Sequence, residues 1–261
     1  MKQAAPLAGK TIAVTRPLAQ AGELASLIEA AGGVALCVPL LEISPISDQA
    51  PLADAARHLT DAALAVFISP NAVDYSLPAL LASGPWPERV QAAAVGPGTA
   101  RALKAHGVAQ VVVPSRRYDS EALLELPELQ ADRLAGRRVF IFRGEGGREL
   151  LAEALTERGA RVEGVACYRR SAPTTGFVPL LEAWRGGDLA AMTVSSSEGL
   201  RNLWNGLDAT GRQWLAQTPI FVPHARIGDC ANSLGLRHII VTGPADDGII
   251  AGLCAYNWAQ S

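Results

Sequence analysis

The stretch GKTIAVTRP, residues 9–17, falls on GRRVFIFRG, residues 136–144, when the chain is shifted by 127 residues. Gly9 then meets Gly136, and Arg16 meets Arg143. The same shift carries VFISPNAV (66–73) onto TVSSSEGL (193–200), with Ser69 on Ser196, and LLEISP onto CYRRSA, with Ser44 on Ser171. AVGPGTARALKAHGV meets FVPHARIGDCANSLGL with a slip of one residue, and Asp119 meets Asp246. Self-similarity at a fixed spacing marks a repeated structural unit. Few positions are identical, so the repetition is one of structure, and two similar domains are expected. The length of 261 residues, above that of one compact domain, agrees.

Each repeat reads as strand followed by helix. TIAV is a short buried strand; Leu24, Leu27, Ile28 and Ala31 then recur at helical spacing. Gly32 and Gly33 end that helix, because glycine accepts the left-handed conformation of a C-terminal cap. Strands at LAVFI, AAAVG and VVV follow, with a helix whose apolar face is Val73, Leu77, Leu80 and Leu81. In the second repeat VFIF leads to a helix carrying Leu150, Leu151, Ala154 and Leu155, stopped by Gly159, and AAMTV, PIFV and HIIV continue the pattern. Such alternation predicts parallel sheets with helices on both faces. VPLLEISPI and VACYRRSAP are extended, end in proline and are too short for helices, so they are candidate linkers.

Composition narrows the function classes. A net charge of -2 gives no basic field for nucleic acid. The N-terminal MKQAAPLAGK has no signal-peptide core and no apolar run reaches membrane-spanning length, so a cytoplasmic protein without membrane contact is expected. Cys37, Cys167, Cys230 and Cys254 lack CxxC spacing and His58, His106, His224 and His238 are dispersed, so no metal site is expected. Arg143-Gly144-Glu145-Gly146-Gly147-Arg148 and Gly96-Pro97-Gly98 each lack the third glycine of a dinucleotide fingerprint, and no phosphate-loop motif occurs. No cofactor is expected, and no GxSxG elbow supports a serine hydrolase.

In open α/β sheets, ligands bind beyond the carboxyl ends of the strands. There the sequence offers Thr15-Arg16, Ser69-Pro70-Asn71, Gly96–Thr99, Arg143-Gly144, Ser195-Ser196-Ser197 and Pro223-His224-Ala225-Arg226. Hydroxyls, glycines and arginines suit carboxylates or phosphates. The same hydroxyls are ordinary helix caps, each contributing about 1 kcal/mol; a cap leaves neighbouring N–H groups free, so the roles coexist. Tyr168 is the candidate catalytic residue. A phenol is protonated at neutral pH and can donate to a leaving hydroxyl. The commoner alternative is a linker tyrosine with a packed ring and its hydroxyl in water. Arg169 and Arg170 read as solvated charges.

The ordered motifs VTRP, FISPNAV, AVGPGTARAL, EALLE, FRGEGGRELLAEALTERGARVEGVACYRR and TVSSSEGL resemble the uroporphyrinogen-III synthase family over nearly the whole chain. The resemblance implies an α/β fold of two flavodoxin-like domains with parallel sheets, joined by a two-stranded linker. It implies one domain from residues 1–38 with 172–261, another from 42–168, and linker strands at 39–45 and 165–171. It implies a monomeric lyase of porphyrin and heme biosynthesis that closes hydroxymethylbilane, an octacarboxylate, in an interdomain cleft. Loss of the terminal hydroxyl gives an azafulvene; attack at the substituted carbon of the last pyrrole gives a spiro intermediate that recloses with that ring inverted. No cofactor is implied, and the small-molecule substrate is the main partner, with a transient contact to the preceding enzyme. Tyr168 matches the family tyrosine proposed to assist hydroxyl departure, and Ser69, Thr99 and Ser196 match its cleft hydroxyls. At Pro223-His224-Ala225-Arg226 a family turn with a hydroxyl is replaced, and His224 or Arg226 is expected to supply the carboxylate contact instead. Arg16, Asn71, Arg143, Gly144, Ser195 and Ser197 complete the expected binding set. A non-catalytic two-domain binder of a small anion is the alternative, with a phosphosugar or nucleotide enzyme behind it.

Overall fold

The computed structural model describes residues 5–147 and 149–258; residues 1–4, Arg148 and residues 259–261, which fall in the expected domains and glycine-rich stretch, lie outside the described residues. The strands are β1 (Thr11–Val14), β2 (Val34–Cys37), β3 (Glu42–Pro45), β4 (Ala62–Phe67), β5 (Gln91–Ala94), β6 (Val111–Val112), β7 (Arg138–Gly144), β8 (Arg161–Ser171), β9 (Leu189–Thr193), β10 (Ile220–Val222) and β11 (Ile239–Val241). They form two sheets, in the orders β2-β1-β9-β10-β11 and β3-β8-β7-β4-β5-β6. The neighbours β1 with β2 and β9, β9 with β10, and β10 with β11 are all parallel, as are β8 with β7, β7 with β4, β4 with β5, and β5 with β6.

Ile43–Arg170 forms one compact unit, and the described residues on either side of it form the other. Both crossings of the chain fall on β3 and the end of β8, which are neighbours in the six-stranded sheet. The 127-residue shift explains the arrangement. It maps β1 and β2 onto β7 and β8, and β4, β5 and β6 onto β9, β10 and β11. Each sheet therefore takes a pair of strands from one repeat and a run of three from the other, reproducing the flavodoxin-like order in both, with β3 added at the edge of the six-stranded sheet.

Period-two alternation fills both faces of each sheet. In the continuous unit, Leu64 and Val66 of β4 join one cluster with Val139 and Ile141 of β7, while Ala65 and Phe67 join Phe140 and Phe142 in the other. Phe67 and Phe142 stack with ring centroids 4.8 Å apart. In the second unit, Ile12 and Val14 of β1 pack with Leu24 and Ile28 of the helix Leu18–Ala30, while Ala13 faces Met192 and Val222. Gly32, with φ of +86°, closes that helix end. The sequence reading missed β2 and the first half of β8. VACYRRS is the end of a longer strand that begins at Arg161. Among the described residues, no helix is long and apolar enough to cross a membrane.

Candidate functional site

In each sheet the strand order reverses direction at one point, where adjacent connections diverge and leave room beyond the carboxyl ends. In the continuous unit that point lies between β7 and β4. Ser69 follows β4 there, and Arg143 and Gly144 end β7. In the other unit it lies between β1 and β9, bringing Thr15-Arg16 beside the segment leading to Ser195, Ser196 and Ser197. Thr15 Oγ1 donates to the Thr193 carbonyl at 2.6 Å, and Thr193 Oγ1 to that of Ala13 at 3.3 Å, tying the two strands together.

Tyr168 sits on an irregularity in β8. Phe142 is opposite Val165 and Arg143 opposite Ala166, but Gly144 is opposite Tyr168, so Cys167 is an extra residue. The extra residue breaks the alternation, and Val165, Cys167 and Tyr168 all enter the same core cluster. Such a bulge re-aims a side chain. Tyr168 is 1% exposed, its ring 6.0 Å from that of Tyr75. Its hydroxyl lies 3.0 Å from Ser69 Oγ and accepts from an Arg170 Nη at 3.2 Å. The Arg170 guanidinium also lies 5.6 Å from the ring centroid. Gly144 gives the ring its place: a Cβ there would fall 2.8 Å from Tyr168 Cζ. The hydroxyl is therefore held by protein groups, not left in bulk water. Arg169 and Arg170 are exposed yet not merely solvated, since Arg169 Nε donates to Ser44 Oγ at 3.1 Å. Arg170 is the residue that sequence reasoning missed. Its spacing two residues beyond Tyr168 on a strand was the available signal.

Ser69 does two things at once. It caps the helix Pro70–Leu80, accepting from the Ala72 N–H at 3.1 Å, and meets the phenol. Ser196 likewise caps the helix Ser197–Gly206 through the Gly199 N–H at 3.2 Å. Thr99 is buried in the first turn of the helix Pro97–Ala105, which follows β5, and Asn71 is half-buried in the first turn after Ser69.

The arginines are placed differently from Tyr168. Arg16 is ion-paired with Asp246, both mostly buried. Their counterparts in the repeat, Arg143 and Asp119, take other partners. Arg143 donates to Glu149 at 2.8 Å, and Asp119 caps the Ala122 N–H at 2.7 Å. Arg143 lies on the Ile141 face of the sheet, lining a cavity of about 210 Å³ with Ile68, Val95, Gly146 and Gly147. Tyr168 lies on the Phe142 face, so the structure does not bring these two together. His224 and Arg226 are exposed at the start of the helix Ala225–Ser233, just beyond β10.

Burial beside Tyr168 shows in Cys167, whose thiol is pushed up to about 12 from an ordinary 9.0, chiefly by desolvation. A raised pKa favours folding while the thiol is protonated in both states. Above pH 9 the unfolded chain loses the proton first, so the contribution falls as pH rises toward 12. From pH 8 to pH 10 the loss should be about 1 kcal/mol by linkage. Urea unfolding of Cys167→Ala should show a correspondingly shallower pH dependence; an unchanged slope would remove this account.

The chain's relatives agree with one another. A family model described as uroporphyrinogen-III synthase HemD matches residues 22–251. Uroporphyrinogen-III synthase of Escherichia coli K12 is 35% identical over 239 residues, covering 91% of this chain and 96% of its own. That of Salmonella typhimurium LT2 is 36% identical over the same shares. Among solved structures, a mutant uroporphyrinogen III synthase from the extremely thermophilic bacterium Thermus thermophilus shares the fold with a TM-score of 0.59 at 20% identity, covering 93% of this chain and 96% of that one. With a family model spanning most of its length and relatives above a third identical over nine-tenths of it, the chain belongs to the uroporphyrinogen-III synthase family.

Proposed function

We propose that this protein is a uroporphyrinogen-III synthase, a cytoplasmic lyase that closes hydroxymethylbilane to uroporphyrinogen III with loss of water and inversion of the last pyrrole. The observation that carries the reading is the Tyr168 hydroxyl, held by Ser69 and Arg170 at the carboxyl end of a sheet. Ser69 Oγ accepts from the Ala72 N–H and shares a hydrogen bond with the phenol in which either hydroxyl can be the donor. Arg170 donates to the phenol oxygen, and in the arrangement where Ser69 donates as well, the phenol proton is left for a bound ligand. Tyr168 gives that proton to the departing hydroxyl, which leaves as water. The two donors then stabilise the phenolate. A proton released when the macrocycle closes restores the phenol, so the protein ends unchanged.

The substrate's carboxylates are held by N–H groups and hydroxyls at strand ends: Ser69, Asn71, Thr99 and Gly144 in one unit, and Arg16, Ser195, Ser196, Ser197, His224 and Arg226 in the other. Arg143 serves more remotely, through its cavity on the opposite sheet face. Residues 1–38 with 172–261 and residues 42–168 are assigned as the two domains, with 39–45 and 165–171 as linker strands. Substrate is received by transient contact with the enzyme that makes it. Steering the macrocycle to one isomer is mainly a matter of orientation, to which many weak polar contacts are suited.

Incubation of the purified protein with fresh hydroxymethylbilane, followed by oxidation and separation of isomers, tests the assignment. Predominant type III without added cofactor supports it; only type I from folded protein rejects it and favours a binder without turnover. Arg226→Ala and His224→Ala should each raise KM several-fold with little change in kcat, as loss of a contact common to ground and transition states does. Unchanged KM in both variants would remove them from the site.

A further inference from the structure

At the opposite edge of the discontinuous unit's sheet, the amino ends of β1, β9, β10 and β11 surround a second cavity, of about 430 Å³. Lys10 precedes β1, Pro219 precedes β10 and His238 precedes β11, whereas the proposed catalytic and binding residues follow the other ends of the strands. The cavity therefore lies outside the reaction already described. Its walls include Trp184, Trp214 and Trp258, three of the chain's five tryptophans. That concentration is unusual, since large aromatic surface left half-buried marks recognition sites more often than plain surface.

The orientation of the indoles defines what they offer. Trp184 Nε1 donates to Thr218 Oγ1 at 2.8 Å and Trp258 Nε1 to the Leu253 carbonyl at 3.2 Å. These N–H edges are bonded within the protein, and the Trp258 ring packs against Phe221 and Tyr256 with centroids 6.3 and 4.9 Å away, so Trp184 and Trp214 supply the ring surface that a ligand would meet. Trp184 and Trp214 are 6.2 Å apart at 34°, and the Lys10 ammonium lies 5.3 Å from the Trp258 ring centroid. Among the described residues, no carboxylate side chain lines the cavity, while Lys10 and His238 both do. The volume falls in the range of small-molecule sites, roughly 300–1,000 Å³.

The geometry points to a second binding site in this cavity for a small planar aromatic carboxylate of one or two rings, its rings against the tryptophans and its carboxylate on Lys10. Ring stacking adds to the area burial, and the charge-assisted contact selects the anion over a neutral analogue.

Calorimetric titration of the full-length protein with 2-naphthoate should give saturable one-to-one binding, at least tenfold tighter than 2-naphthylmethanol. Lys10→Gln should erase that preference, and Trp214→Leu should weaken both ligands at least tenfold. Formation of the type III isomer should be unchanged in Lys10→Gln. Absence of saturable binding overturns the proposal, as does naphthoate binding that survives in both variants, because it would then lie elsewhere. Should Trp214→Leu fail to fold, the loss or persistence of anion preference in Lys10→Gln decides alone.

Discussion

Tyr168→Phe should lower the rate of type III formation by roughly a hundredfold or more, the usual contribution of a positioned general acid. The substitution removes one oxygen and leaves the ring where it packs, against Tyr75 and within the Phe67–Phe142 cluster. Ser69 still caps its helix through Ala72, so the local backbone has reason to stay in place. Losing the buried hydroxyl should cost only about 1 kcal/mol of stability. The informative measurement is kcat for type III at substrate saturation, with the thermal midpoint beside it. A large fall in kcat at nearly constant stability marks a group acting on the reaction. If kcat stays within a few-fold, the proton comes from elsewhere and Tyr168 is only a packed ring.

Gly144→Ala should be almost as damaging, through geometry rather than chemistry. Its new methyl would lie 2.8 Å from Tyr168 Cζ, 2.9 Å from Cε2 and 3.1 Å from the hydroxyl. The ring cannot swing aside cheaply, because it is almost wholly buried and lies against Tyr75. Overpacking of this kind costs about 1–3 kcal/mol, and displacing the hydroxyl from Ser69 and Arg170 should lower kcat at least tenfold, given the sensitivity of catalysis to small misplacements. The two substitutions touch, so they should not add. Gly144→Ala in a Tyr168→Phe background should lower kcat little further. Full additivity would mean that Gly144 acts independently of the phenol.

The sequence made the strand–helix alternation and the repeat legible because both are local patterns or comparisons of local patterns. A 127-residue shift does not reveal which strands share a sheet; the exchange of strand pairs between sheets depends on contacts distant in sequence. The split of the chain came from family resemblance. Within the candidate site, Ser69 and Ser196 were readable because a hydroxyl before a helix is a cap signal. The position of Tyr168 was not, since the extra residue Cys167 exists only relative to the pairing of β8 with β7. Arg170 was passed over for a related reason: its partner is fixed by the phenol's orientation, which the bulge sets. Arg143 and Arg16 look equivalent in sequence, but Glu149 captures one and Asp246 the other.

The exchange of strands between the repeats also sets an order of assembly during synthesis. Domains usually close from the N-terminus as the chain emerges. Here β1 and β2 appear first, but β9, which must cover the other edge of β1, ends at Thr193. The middle segment, from Ile43 to Arg170, has all its own strands by then and can close earlier. Until β9 arrives, Ile12 and Val14 sit on a strand with one edge unpaired, a template for wrong partners. Although β1 precedes the middle segment in the chain, it is thus secured after that segment can close, and the emerging chain is open to wrong pairing along β1 until β9 arrives.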